Sequence, residues 1–513
     1  MDARLLESVK SPLAGYEKEE TKNIRGSTLL LAGRILAVAI NLGTQVLLVR
    51  YLSKTGYGAF AYALAIVSLG SSVAALGLEK SVSRFITIYQ EQGEPHKVLG
   101  TTVLMTGTIL TVSLAIVLPV VFFQGWLDQR LIQDREAVGM LAVLIALVPV
   151  HALESLFLGL LSTFAKTRAI FFRKYLVGPG LQFSLVLLLT LLGGSASLIA
   201  GSYLAAGIIG IGITSATLLG ILRQNGLLNW PSIRDIELPW RDVFGFTAPL
   251  LVSDLVFVLR SQFVVVLVEY FRSTSEVADY RAVFPIARFN LVVYQNFVIL
   301  YLPLASRMFV RNNLDALNIF YQKTAIWISV ISFPLFVVSS TLSRPLVTFL
   351  FGERYAESAI LLTLLSIGFY FSAALGFNGQ TLRIFGKVRY IFSTDLFTAL
   401  VSIALSLLLI PRYGALGGVI SFCGTLILQN ILYQVGLLLS TGVGWFSRDH
   451  LKVYGIIGLS WLGLLLMPNI SISLMVAVIV SLLVIRLNRR SLEIERTFPE
   501  LLRIPLMRKL FGN

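Results

Sequence analysis

Fourteen apolar stretches of about membrane-spanning length tile this chain, and several carry arginine inside the apolar run. Bilayer hydrocarbon is roughly 30 Å thick and takes about 20 apolar residues per helical crossing. Fourteen crossings would use over half of the 513 residues, and 56% of the chain is hydrophobic. Backbone polar groups in lipid must be satisfied within the segment, so the fold class is an all-α polytopic membrane protein. An arginine in such a span is costly unless it meets water or a counter-ion. Several retained arginines therefore suggest a carrier with a cationic interior.

The spans are expected near 27–49, 59–78, 99–122, 137–160, 176–193, 197–222, 245–268, 280–303, 324–343, 359–382, 390–410, 416–439, 453–467 and 472–485. The last two are short enough to form one re-entrant hairpin instead. With the N-terminus inside, the inner segments hold thirty Lys and Arg and the outer loops nine, Arg281 at the edge of span 8 being counted as outside, which leaves Arg34, Arg260 and Arg288 within spans. Cytoplasmic loops carry the excess of basic residues, so both termini are expected in the cytoplasm, the protein being multi-pass in the cytoplasmic membrane. The first 26 residues are polar and charged, unlike a cleavable signal. The first span itself is expected to direct insertion.

The net charge of +15 does not mark a nucleic-acid binder, because the basic residues scatter through short loops. One cysteine, Cys423, excludes an internal disulfide. No metal-ligand spacing, phosphate-cradling loop or room for a soluble catalytic domain is present. No cofactor is expected and the chain is not read as an enzyme.

Segments 1–26 and 486–513 are expected as cytoplasmic ends, the latter basic and amphipathic, suited to an anionic leaflet or to a disordered tail. Between them lie a six-helix lobe (27–222), a cytoplasmic linker (223–244), a second six-helix lobe (245–439) and an extra helix pair (440–485). Six spans per lobe make both enter from one side, as repeats related by a pseudo-two-fold along the membrane normal do. At an offset of 220, Ser53, Gly58 and Phe60 meet Ser273, Ala278 and Tyr280; Val82-Ser83-Arg84-Phe85 resembles Ala305-Ser306-Arg307-Met308 at 223.

Span 1 places Arg34 and Asn41 seven apart, nearly two helical turns, with Gln45 four further on. The polar stripe suits a cavity wall, although Arg34 alone is also within reach of the inner surface by snorkelling. Span 8 repeats the device with Arg281, Arg288 and Gln295, interrupted by Pro285; Arg281 is equally suited to the outer interface. Arg34, Asn41, Gln45, Arg260, Arg281, Arg288 and Gln295 are thus the candidate substrate-binding residues. Asp254 falls on Arg34 at the 220 offset, which suggests a gating ion pair. His151 and Glu154, three apart in span 4, and Asp395 in span 11 are candidates for ion coupling, with satisfaction by neighbouring helices as the plainer alternative. Asn378 and Gln380, beside Gly376 and Gly379, suggest a broken stretch of span 10.

The stretch from Arg25 to Gln92 resembles the opening of the oligosaccharide flippase (polysaccharide biosynthesis protein) family, in the superfamily that also holds multidrug–cation antiporters and lipid II flippases. Gly33-Arg34, Val49-Arg50-Tyr51-Leu52-Ser53, Tyr57-Gly58-Ala59-Phe60, Leu76-Gly77-Leu78 and Ser81-Val82-Ser83-Arg84-Phe85 carry the resemblance. It implies a pair of six-helix lobes working by alternating access on a polyprenyl-diphosphate-linked oligosaccharide or similar lipid-linked sugar, for cell-surface polysaccharide synthesis. The implied partners are that substrate, membrane lipids and a polysaccharide polymerase or glycosyltransferases. Arginine suits a diphosphate, and the residues and the resemblance agree. A cation-coupled multidrug antiporter would need an acidic cavity. A non-transporting scaffold of a polysaccharide-synthesis complex would have no use for intramembrane arginines. The lipid II flippases' cavity arginines do not match this chain residue by residue.

Overall fold

The computed structural model describes residues 33–125, 135–164, 171–224, 226, 236–443, 448–466, 476, 479–484 and 486, with the side chains of 135, 248–257 and 448–450 left aside. Among these residues the regular structure is helical throughout, with no strand. Ten helical stretches are long and apolar enough to cross a bilayer, and they account for eleven of the fourteen expected spans. One of them, Val388–Thr441, contains two spans, so the count of stretches is lower than the count of crossings. Span 7 lies in Trp240–Phe271 and span 13 in the shorter Leu451–Leu465. Half of span 14 falls outside the described residues.

The chain divides into two compact units. The first holds α1 (Gly33–Tyr51) and most of the chain from Ile66 to Leu255. The second runs from Val256 onward and also takes in Ser53–Ala65. The division therefore falls inside a helix, Trp240–Phe271.

The chain order begins α1, α2 (Lys54–Ala75), α3 (Leu78–Glu91) and α4 (Pro95–Phe122). It continues through α5 (Arg135–Leu144), α6 (Leu147–Thr163), a π turn (Phe171–Val177) running into α7 (Gly178–Leu191), and α8 (Ala196–Gln224). α3 lies almost wholly between the expected spans 2 and 3, because its polar residues hide the apolar run. Its buried residues are Leu78, Ser81, Val82, Phe85, Ile86 and Tyr89, spaced so that one face packs on α6 and α4. The π turn starts five residues ahead of the expected span 5.

Next come α9 (Trp240–Phe271), α10 (Thr274–Arg288), a 3-10 turn (Phe289–Leu291), α11 (Val292–Val310), α12 (Leu314–Thr341) and α13 (Ser343–Phe351). α14 (Ser358–Ala374), α15 (Asn378–Ile384), α16 (Val388–Thr441) and α17 (Arg448–Leu465) follow. In the second unit α14 is central, packed on α10, α12 and α16. Its core is aromatic: Phe336 stacks on Tyr370 at 4.3 Å between centroids, and Tyr301 on Phe320 at 5.3 Å.

Local chemistry explains the helix boundaries. Ser53 and Ser273, matched at the 220 offset, both cap a helix: Ser53 Oγ accepts from Gly56 N at 2.9 Å and Ser273 Oγ from Glu276 N at 3.3 Å. Span 10 is broken where expected. α14 ends at Ala374, Gly376 turns at φ +73°, and α15 starts at Asn378. α16 is two helices joined at Gly414 (φ +59°, ψ −137°), between the expected spans 11 and 12. A Cβ at Gly414 would overlap the Glu276 carboxylate, which accepts from Ala415 N at 2.7 Å and so caps the second half of α16.

Candidate functional site

Arg260 on α9 is half-buried, with its guanidinium over the Phe422 ring at 5.7 Å. Its Nη1 donates to Gln429 Oε1 at 2.5 Å. The Gln429 amide in turn donates to Asp395 Oδ1, and the Tyr433 hydroxyl donates to the same oxygen. Gln429 and Tyr433 lie one turn apart on the second half of α16, and Asp395 on the first half. Cation and carboxylate are thus bridged by one amide, which holds the guanidinium without consuming it. Among the described residues, Nη1 to Gln429 is the one hydrogen bond that Arg260 gives. A guanidinium has five N–H donors, so donors remain for an incoming oxyanion.

Further expected residues lie in the same unit. Arg281 on α10 is half-buried and donates through Nη2 to Gln262 Oε1 on α9. It therefore packs among the helices, not in an outer loop. Arg281, Arg288 and Gln295 do not form one straight stripe. α10 passes through Pro285 and ends at Arg288, and the 3-10 turn separates it from α11, which bears Gln295. The change of helix axis breaks the seven-residue register: Arg288 is exposed whereas Arg281 and Gln295 are half-buried.

Asn378 and Gln380 at the start of α15 belong to the neighbouring polar surface. Asn378 donates to the Asn430 carbonyl at 3.1 Å, one residue from Gln429, and Gln380 hydrogen-bonds Tyr294.

In the first unit, Arg34 and Gln45 on α1 are half-buried and Asn41 is exposed. The Asp254 side chain lies outside the described residues, so the Arg34–Asp254 pair stays an expectation. Glu154 is engaged: its Oε1 stands 2.6 Å from Nη2 of Arg173, whose side chain is 7% exposed. Arg173 Nε also donates to the Gly210 carbonyl at 3.0 Å and Thr214 Oγ1 at 2.8 Å. A Cβ at Gly210 would overlap the guanidinium, so glycine there makes room for the pair. His151, one turn before Glu154, lies exposed on the helix surface. The first unit also has an open groove of about 630 Å³ lined by Phe85, Tyr89, Glu94, Lys97 and Asp242. Lys97 is neutralised there by Glu94 at 3.0 Å and Glu237 at 3.9 Å, so the groove does not suit an anion.

Sequence patterning missed Gln429, Tyr433 and Arg173. Gln429 and Tyr433 look like ordinary polar residues of an apolar span, and Arg173 lies just before one. Their only sequence signal is polarity at or near a hydrophobic run. No group of three or more His, Cys, Asp or Glu suited to a metal occurs among the described residues.

Comparison with known proteins gives a consistent result. The capsular polysaccharide biosynthesis protein CapF of Staphylococcus aureus is 33% identical over 85 residues, 17% of this chain. That match spans 22% of CapF's own length. The lipid II flippase MurJ in its inward closed conformation superposes with a TM-score of 0.69 over 91% of this chain and 99% of MurJ, at 15% identity. An inward-facing multidrug resistance MATE family transporter of the MOP superfamily superposes at 0.65 over 79% of this chain and 95% of its own, at 14% identity. At such identities these structures show the shared fold alone. The family described as "Polysaccharide biosynthesis protein" matches residues 24–309, more than half of the 513, and this multi-pass membrane protein belongs to that family.

Proposed function

We propose that the chain is a flippase that carries a polyprenyl-diphosphate-linked oligosaccharide, or a similar lipid-linked sugar, across the cytoplasmic membrane by alternating access. Family membership supports a role in polysaccharide synthesis, and MurJ, named as a lipid II flippase, shares the fold. The observation that carries the proposal is Arg260: a guanidinium among apolar helices, steered by Gln429 toward Asp395 and retaining donors for an oxyanion. A diphosphate entering lipid needs such counter-charge, and guanidinium geometry matches phosphate oxygens. Within the second unit Arg281, Arg288 and Gln295 would extend the polar path for the sugar, and within the first unit Arg34, Asn41 and Gln45 would form a polar face of their own. The distribution of Lys and Arg supports cytoplasmic termini, and each six-span set would form one lobe.

Reconstitution tests this directly. Purified protein in liposomes with candidate lipid-linked sugars should speed the appearance of label at the opposite leaflet. Arg260→Ala should abolish the gain while the protein still inserts and accumulates; Arg260→Lys should restore only part, since it keeps the charge and loses the bidentate fork. Export of small organic cations with no movement of lipid-linked sugar would sink the proposal in favour of an antiporter. No transport of either would favour a scaffold.

A further inference from the structure

We infer that Arg383 is a second anion-binding residue, forming with Arg260 a two-cation site for the two phosphates of a diphosphate. The inference rests on the Arg260 reading above and deepens it. The short helix α15 lies against the second half of α16. Gly379 makes the contact: a Cβ there would stand 3.1 Å from the Tyr433 ring. Arg383 is four residues on, so it occupies the same face of α15 one turn along. From there it acts electrostatically on the hydroxyls of both Tyr433 and Tyr294. Arg260 acts on the Tyr433 hydroxyl as well. Tyr433 and the Asp395 carboxylate that it donates to therefore stand in the field of two arginines on different helices.

The charge arrangement has a direct consequence. Asp395 alone offsets one positive charge, so Arg260, Asp395 and Arg383 together leave one unit of positive charge for a ligand. Arg383 is exposed, and among the described residues no hydrogen bond from its guanidinium is seen. The plainer role for Arg383 is to face the C-terminal carbonyls of α15, worth little in exposed positions. That role predicts no effect on ligand choice, which separates the two readings. A single arginine engages one phosphoryl group of either ion, so its loss weakens both. Two arginines flanking a carboxylate favour the ligand that carries two phosphoryl groups.

The test uses the full chain in lipid nanodiscs, with inorganic pyrophosphate and inorganic phosphate titrated at fixed ionic strength. The wild type should bind pyrophosphate at least about tenfold more tightly than phosphate. Arg383→Gln should weaken pyrophosphate by about tenfold, the loss of one charge-assisted contact, leave phosphate within about twofold, and so erase the preference. Arg383→Lys should keep part of it, and serves if the Gln variant does not fold. Arg260→Gln should weaken both ions. An unchanged pyrophosphate-to-phosphate ratio in both Arg383 variants, with Arg260→Gln still weakening both, would refute the role of Arg383 and leave the Arg260 site standing. A wild type that binds neither ion would overturn the Arg260 site and Arg383 with it.

Discussion

Glu154→Gln tests whether the Glu154 carboxylate is there to hold Arg173 or to move a proton. Arg173 is almost wholly buried, and its Nη2 pairs with Glu154 Oε1 at 2.6 Å. Glutamine keeps the shape and removes the charge, so a buried guanidinium is left with neutral acceptors. Removing one partner of a buried ion pair costs about 3–5 kcal/mol. Two observations lower that figure. Arg173 Nε keeps its bonds to the Gly210 carbonyl and Thr214 Oγ1. Glu154 is 22% exposed, so part of its charge is already solvated or screened. The expected loss is therefore about 2–3 kcal/mol, read as a lower midpoint in thermal unfolding of the detergent-purified protein. Replacing the whole pair (Glu154→Leu with Arg173→Met) should recover most of the loss, because apolar residues of similar volume remove both charges together. An unchanged midpoint in Glu154→Gln would refute the structural role. If that same variant also lost the pH dependence of transport, Glu154 would stand as an ion-coupling residue.

Arg34→Ala and Arg288→Ala should each impair export with normal accumulation, scored by transport in liposomes against the amount of inserted protein; normal export in both would remove those two residues from the substrate path. Cysteines at 34 and 254 should crosslink in the outward-facing state and separate in the inward-facing one, and a constant distance across states would show that they do not form a gate. Gly58→Ala should destabilise the second unit, since the new Cβ would overlap the Thr274 carbonyl and force backbone to shift; overpacking of this kind costs about 1–3 kcal/mol or more. Wild-type thermal stability in that variant would show that the α2–α10 approach relaxes freely.

The amino-acid sequence by itself determined the segmental architecture, because lipid acts on each segment separately. Every crossing must be apolar over about 20 residues and close its own backbone hydrogen bonds. The break in span 10 at Gly376 and Asn378 was legible for the same reason, being a backbone event within a few residues. So was the match of Ser53 with Ser273 at the 220 offset, whose capping role the structure supplied. Partners of the charged residues were not legible. Arg260 reaches Gln429 across 169 positions, Gln429 reaches Asp395 across 34, and Arg173 meets Thr214 across 41. Helical periodicity states which residues share a face, but not which neighbouring helix covers it or at what depth. The tertiary structure decided those points by packing. It paired Glu154, a candidate for ion coupling, with a buried arginine. It broke the Arg281–Gln295 stripe at a turn, and joined Asp395 to Arg260 through an amide that no local pattern singled out.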